Sequence, residues 1–293
     1  MGGNMNQKRI FWIILLFLIV SLDVSMVCNL ERSYKGQRQE SQLAQEEEAL
    51  STLRAFELPQ DIYEQLAKKL KTDFKIRNNK EFCENILAYL FCHSVKQSEL
   101  KQWRSLEQDA QPKLYEYYIK VIENLLADAV CFPVPEAIDN KEAFVTYENS
   151  WQSERTYGGA RGHEGCDLMA SVPQRGYYPI VSVSDGTVEK MGWLPQGGYR
   201  IGIRSRHGVY YYYAHLAEYE EGISEGTKIT AGQLLGYMGD TGYSEVEGTT
   251  GNFPVHLHFG MYLDLEGRGE VSFNPYYLLN MLEKKKLKYV FNN

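Results

Sequence analysis

Four of the six histidines join one aspartate in three short groups: His163-Glu-Gly-Cys-Asp167, Tyr213-Ala-His215-Leu216 and His256-Leu-His258. Two residues apart in a strand, His256 and His258 point to the same face, with Cα atoms about 6.6 Å apart. That suits one imidazole as a metal ligand while the other reaches the metal's water or a substrate. His163 and Asp167 lie four apart, but Gly162 and Gly165 each disfavour a helix by about 1 kcal/mol. A loop leading into a strand that starts near Asp167 fits better, with Cys166 and Leu168 facing the core. His, Asp and His form a nitrogen and oxygen donor set suited to one Zn²⁺. Three protein ligands leave one tetrahedral position for water, whose pKa the metal lowers to about 7. The remaining two histidines are then acid/base candidates. In a regular strand His215 shares parity with Tyr211 and Tyr213, which makes these tyrosines groove candidates, and Tyr157 is a candidate hydroxyl aimed at an oxyanion. Each group alone is a weak signal, since HxxxD and HxH arise by chance and a lone strand histidine is usually a satisfied core residue. Their combination in this order is far more specific.

The elements that must position these groups are strands. After Cys131-Phe-Pro-Val-Pro135 the hydrophobic period changes from 3.6 to 2. Strands are expected at Thr187–Met191, Tyr199–Arg204, Val209–Leu216, Leu234–Tyr237 and Val255–Leu263, with Asp185-Gly186 as a hairpin signal. This predicts a mainly β, compact antiparallel domain over residues 131–293, ending in a helix from Pro275 to Lys286. Residues 56–130 read as a small α-helical region. Its stripes are Ile62, Leu66, Leu70, Phe74; then Phe82, Ile86, Leu87, Leu90, Phe91; then a segment opened by Pro112 with Leu114, Tyr118, Val121, Ile122, Leu125 and Ala129 on one face. It holds one histidine, His93, read as a surface or cap residue, and suits a spacer or docking module. Cys83 and Cys92, about 13 Å apart along one helix, cannot pair with each other. Pairing of either with Cys131 and buried free thiols both remain open.

Residues 1–9 are expected to be a cytoplasmic N-terminus, 10–30 a transmembrane signal anchor flanked by Lys8 and Arg9, and 31–55 a linker or solvated helix. That reading places a single-pass protein in the cell membrane with its β domain extracytoplasmic. Secretion after cleavage of the segment is the alternative. A net charge of −7 argues against nucleic-acid partners. A nucleophilic Cys166 is disfavoured by its core-facing parity, and neither HExxH nor GxSxG occurs.

The β region resembles the lysostaphin-type, or LytM-type, zinc metallopeptidase family M23. The resemblance rests on His163/Asp167, Tyr213-Ala-His215-Leu216 and His256-Leu-His-Phe259. Supporting text is Asp185-Gly-Thr-Val188, Gly232-Gln-Leu-Leu-Gly236 and Gly239-Asp-Thr-Gly242, and the match covers roughly residues 150–280. It implies His163, Asp167 and His258 as zinc ligands, His215 and His256 as the catalytic pair, and hydrolysis of peptidoglycan stem peptides or cross-bridges. The rival expectation is a membrane-anchored, non-catalytic scaffold that binds a cell-envelope partner through the helical region. The filled ligand and histidine positions speak against it. Cys166, where the family usually has an aliphatic residue or Thr, and the long loop Tyr243–Val255 with Glu245 and Glu247 depart from the pattern.

Overall fold

The computed structural model describes residues 41–69 and 79–291. Helices α1 (Glu46–Ala55), α2 (Gln60–Lys69), α3 (Lys80–Cys92), α4 (Gln97–Ala110) and α5 (Pro112–Ala127) come first. Ile62 and Leu66 lie on α2, while Leu70 and Phe74 of the same expected stripe fall outside the described residues. Asn79 caps α3 by accepting the Phe82 N–H at 3.2 Å, and His93 ends that helix in the left-handed conformation. Pro112 opens α5, where a missing N–H costs nothing. Helix α4 departs from the expected three-helix reading. Its sequence is mostly polar, and its buried residues are Leu100, Trp103 and Glu107, too narrow a stripe to stand out by periodicity.

Of the segment 31–55, expected as a linker or solvated helix, residues 31–40 lie outside the described residues and 46–55 form a helix that is packed on one face, where α1 buries Ala49, Leu50 and Leu53. Just beyond it, Phe56 is fully buried. Arg54 donates through Nε to the Ser272 carbonyl at 2.9 Å and through Nη2 to the Ser272 hydroxyl at 2.8 Å, and its own carbonyl accepts the Asn274 N–H. Helical layer and sheet share one contiguous apolar core, so the helices pack against the β region.

The sheet region contains β1 (Glu136–Ala137), β2 (Val145–Thr146), β3 (Glu154–Arg155), β4 (Arg161–Gly162), β5 (Cys166–Ala170), β6 (Pro179–Val181), β7 (Gly186–Leu194), β8 (Gly198–Ser205), β9 (Val209–Tyr219), β10 (Lys228–Ile229), β11 (Leu234–Met238), β12 (His256–Leu265) and β13 (Gly269–Phe273). Helix α6 (Tyr276–Leu282), one 3₁₀ turn and β14 (Lys288–Tyr289) follow. The main sheet runs β10-β7-β8-β9-β12-β5-β2, with β11 joining β6 to β9 and β13 beside β12. It is antiparallel throughout, as the period-2 pattern and close turns imply. The Asp185-Gly186 hairpin does not form. Strand β6 pairs with β11 while β7 pairs with β8, and Asp185 instead accepts the Ala231 N–H at 2.7 Å.

The membrane reading is corrected. Among the described residues no helix is long and apolar enough to cross a membrane, and the expected span 10–30 lies outside them. The single-pass localisation and the membrane partner are therefore not carried forward.

Candidate active site

Strand β12 carries two of the histidines and lies between β9 and β5. Its register sets His258 opposite Asp167 on β5 and opposite Ala214 on β9. His163 sits on the turn between β4 and β5. Its N–H donates to the Ser153 carbonyl at 2.9 Å, and its carbonyl accepts the Gln152 N–H at 2.9 Å. Three side-chain atoms from separate positions then meet. His163 Nε2 lies 3.1 Å from Asp167 Oδ1 and 3.0 Å from His258 Nδ1, and His258 Nδ1 lies 3.0 Å from Asp167 Oδ1. Among the described residues these three form the group able to hold a metal ion.

The triangle fits a tetrahedral zinc. Bonds of about 2.0–2.1 Å at tetrahedral angles give ligand-to-ligand edges of about 3.3 Å, close to those observed. Surrounding contacts orient these three atoms. His163 Nδ1 faces the Ser150 hydroxyl at 2.9 Å and the Ser150 carbonyl at 3.3 Å. Donation from Nδ1–H to that carbonyl leaves Nε2 as the lone-pair nitrogen. Arg155 Nη2 donates to Asp167 Oδ2 at 2.6 Å, leaving Oδ1 for the triangle. Gly165 permits the close approach of the His258 ring, because a Cβ there would fall 2.5 Å from Cε1 and 2.6 Å from Nε2. Burial alone would raise the Asp167 pKa, but the adjoining His163 and His258 rings hold the carboxyl well below the usual carboxylate range.

His256 and His215 stand beside this triangle, with ring centroids 4.7 Å apart. His256 Nδ1–H donates to the Pro254 carbonyl at 2.8 Å, and His215 Nδ1–H donates to the Thr241 carbonyl at 2.7 Å. A carbonyl only accepts, so both tautomers are set and each Nε2 keeps its lone pair. His256 Nε2 is 3.8 Å from Asp167 Oδ1. Burial lowers the pKa of both rings, and for His215 the neighbouring His256 and His258 lower it further. The Gly239-Asp-Thr-Gly242 segment supports this arrangement. Thr241 Oγ1 donates to the Leu216 carbonyl at 2.8 Å, and Asp240 is bound by Arg175.

The tyrosine assignment is corrected. Tyr211 and Tyr213 are fully buried on the core side, and Tyr210 and Tyr212 line the cleft instead. Strand β9 gains one residue against β8 between Tyr213 and Leu216. His215 occupies that bulge with a left-handed φ of 63°. The extra residue flips parity, so His215 joins Tyr210 and Tyr212 on the open face. Tyr157 does not line the cleft. It stacks on Tyr243, centroids 4.5 Å apart, and Tyr243 packs edge-on to His215 at 6.0 Å. Tyr243 and Phe253 come from the long loop that is expected to border the groove. Phe253 packs on His215 at 4.6 Å.

The cleft has a volume of about 520 Å³. Arg155, Arg161, Glu164 and Tyr262 also line it. Sequence reasoning missed these four, although Tyr262 shares strand parity with His256 and His258 and Glu164 lies inside the His163–Asp167 group; only the segment of Arg155 and Arg161 carries neither periodicity nor a metal-type spacing. Cys166 is fully buried with its thiol pKa pushed up by burial, as its parity predicts. The four described cysteines are free thiols, and Cys28 lies outside the described residues.

Comparison with known proteins adds a second line. The profile of peptidase family M23 matches residues 161–275. The chain is 33% identical over 215 residues to an L-Ala–D-Glu endopeptidase of Bacillus subtilis strain 168, covering 72% of this chain and 63% of that protein. A 99-residue stretch, 33% of this chain and 17% of its counterpart, is 32% identical to lysostaphin of Staphylococcus simulans. A crystal structure of a candidate glycyl-glycine endopeptidase LytM from Ruminococcus gnavus superposes with a TM-score of 0.69 at 39% identity, over 82% of this chain and 94% of that one.

Proposed function

Since the chain belongs to peptidase family M23, we propose that it is a zinc-dependent endopeptidase that cuts peptide bonds of bacterial peptidoglycan, in a stem peptide or cross-bridge. The observation that carries this reading is the meeting of five side chains in one cleft. Three ligand atoms lie 3.0–3.1 Å apart, and two imidazoles beside them are fixed in the tautomer that leaves Nε2 basic. The names of the relatives support the substrate class.

In this reading His163 Nε2, Asp167 Oδ1 and His258 Nδ1 hold the ion. Zinc held there supplies Lewis-acid polarisation of the scissile carbonyl and an acidified water. The chain's own residues handle protons and position. His256 and His215 are both neutral at pH 7 because burial depresses their pKa values, and one of the two accepts the attacking water's proton at Nε2. The resulting imidazolium returns it to the leaving amine. Carbonyl acceptors at Pro254 and Thr241 hold each ring in place while its charge changes. Arg155 keeps Asp167 oriented, and Tyr210 and Tyr212 wall the groove.

The test is mass spectrometry of muropeptides digested by the zinc-loaded full chain, with and without a chelator. New amino termini that appear with zinc and vanish with the chelator are expected. His256→Ala should retain stoichiometric zinc and lose turnover. A zinc-replete protein that leaves every bond of cross-linked wall intact would overturn the proposal.

A further inference from the structure

The wall of the cleft next to Asp167 is a two-stranded ribbon formed by β3 and β4. Its register sets Arg155 directly opposite Arg161. Cross-strand partners share a face, and both arginines line the cleft. Like charges placed this way destabilise a ribbon unless something anionic lies between or beside them.

Arg155 has its anion, the Asp167 carboxylate at 2.6 Å. Among the described residues the Arg161 side chain makes no hydrogen bond or ion pair, and its Nε is buried without a partner. The other carboxylates of the cleft are already engaged, Glu164 with Arg54 at 3.4 Å and Glu270 with Arg204 at 2.8 Å. A guanidinium offers five donors in a planar fork that matches a carboxylate. The half-exposed fork is free to take a ligand from the cleft, and its buried Nε is the donor that lacks a partner. Arg161 is thus the direct cross-strand partner of the residue that contacts Asp167, about 5 Å away between Cα atoms.

We propose that Arg161, backed by Arg155, is a carboxylate-binding subsite, and that the favoured substrate carries a free carboxylate on a residue flanking the scissile bond. A neutral glycine bridge would leave this subsite empty. The assignment rests on the endopeptidase reading above and narrows its substrate to an acidic peptide.

The experiment uses zinc-loaded full chain and synthetic stem peptides amidated at one carboxylate at a time. Wild type is expected to favour the free acid over the amide by about tenfold or more in kcat/KM, the range a charge-assisted hydrogen bond supports. The carboxylate whose amidation costs most identifies the residue bound. In Arg161→Ala that ratio is expected to fall close to one, and Arg161→Lys should keep part of it. A second arm follows binding of the same peptides to chelator-treated protein by NMR. There the free acid should bind more tightly than the amide in wild type and equally in Arg161→Ala. An acid-to-amide ratio near one in wild type, or one unchanged in a folded Arg161→Ala, overturns the subsite while leaving the endopeptidase reading intact. If no peptide is cut, the endopeptidase reading falls, and the binding arm decides the subsite alone.

Discussion

Gly165→Ala perturbs the proposed metal centre without removing any ligand. Gly165 does not have a positive φ, so an alanine suffers no backbone penalty and the whole effect is steric. Its Cβ would lie 2.5 Å from His258 Cε1, 2.6 Å from His258 Nε2 and 2.8 Å from the Phe259 carbonyl oxygen. Ordinary contact starts at 3.4 Å, so the ring must retreat by about 0.9 Å. The Phe259 carbonyl belongs to β12, paired on both sides, and cannot yield as easily as the ring. A zinc site tolerates errors of about 0.2 Å in ligand distance. A ring displaced several times that far no longer completes the triangle with His163 and Asp167. Zinc affinity, read by chelator competition, is expected to drop by about 10–100-fold, as for loss of a supporting contact. The thermal midpoint of the metal-free protein should change much less. Wild-type zinc affinity in a folded Gly165→Ala protein would refute the claim that His258 is held at this spot by that contact.

His163→Ala, Asp167→Ala and His258→Ala should each lose stoichiometric zinc by metal analysis, whereas His215→Ala keeps zinc and loses about 10²–10⁴-fold in kcat. The folded pKa values of His215 and His256 are lowered by burial, below an unfolded value near 6.5. Their contribution is therefore fully present above about pH 6.5 and is lost as pH falls through the lower folded values. The thermal midpoint of metal-free protein should thus decline from pH 7 to pH 5, with a shallower slope in His215→Gln. Arg54→Ala removes two hydrogen bonds to Ser272 and should cost about 1–3 kcal/mol in urea unfolding.

What was legible in the sequence follows what is periodic. His256 and His258 share a face because a strand alternates, and β12 is a regular strand. The antiparallel β class was legible for the same reason, from alternation punctuated by glycine turns. Tyr211 and Tyr213 were misplaced because alternation fails where one residue is added, and nothing in Tyr213-Ala-His215-Leu216 marks a bulge. Histidine tolerates the left-handed region better than a β-branched residue, but that is too weak a signal to place the insertion. Helix α4 was hidden by its polar surface, and α1 by Glu46-Glu47-Glu48, which reads as solvated charge yet forms an acidic first turn beside the helix N-terminus. The Arg155–Arg161 pair depends on a two-residue ribbon register that only the folded backbone defines.

The candidate site is held in two ways, and the difference predicts where it is fragile. Asp167, His256 and His258 stand on paired strands, so their separations follow from sheet register. Moving one requires slipping a strand and turning its core residues outward. His163 and His215 sit instead on a turn and in a bulge, where no ladder fixes the side chain. Each is tied by a carbonyl to its Nδ1, from Ser150 and from Thr241, and each tie depends on neighbours outside the central strands. The His163 turn also leans on Glu164, which pairs with Arg54 and whose carbonyl accepts the Tyr262 hydroxyl at 3.2 Å. Arg54 belongs to α1, so it ties the helical layer to the turn that carries His163. A chain trimmed to residues 131–293 would keep every proposed ligand and yet lose this brace, along with the apolar faces that the helices cover.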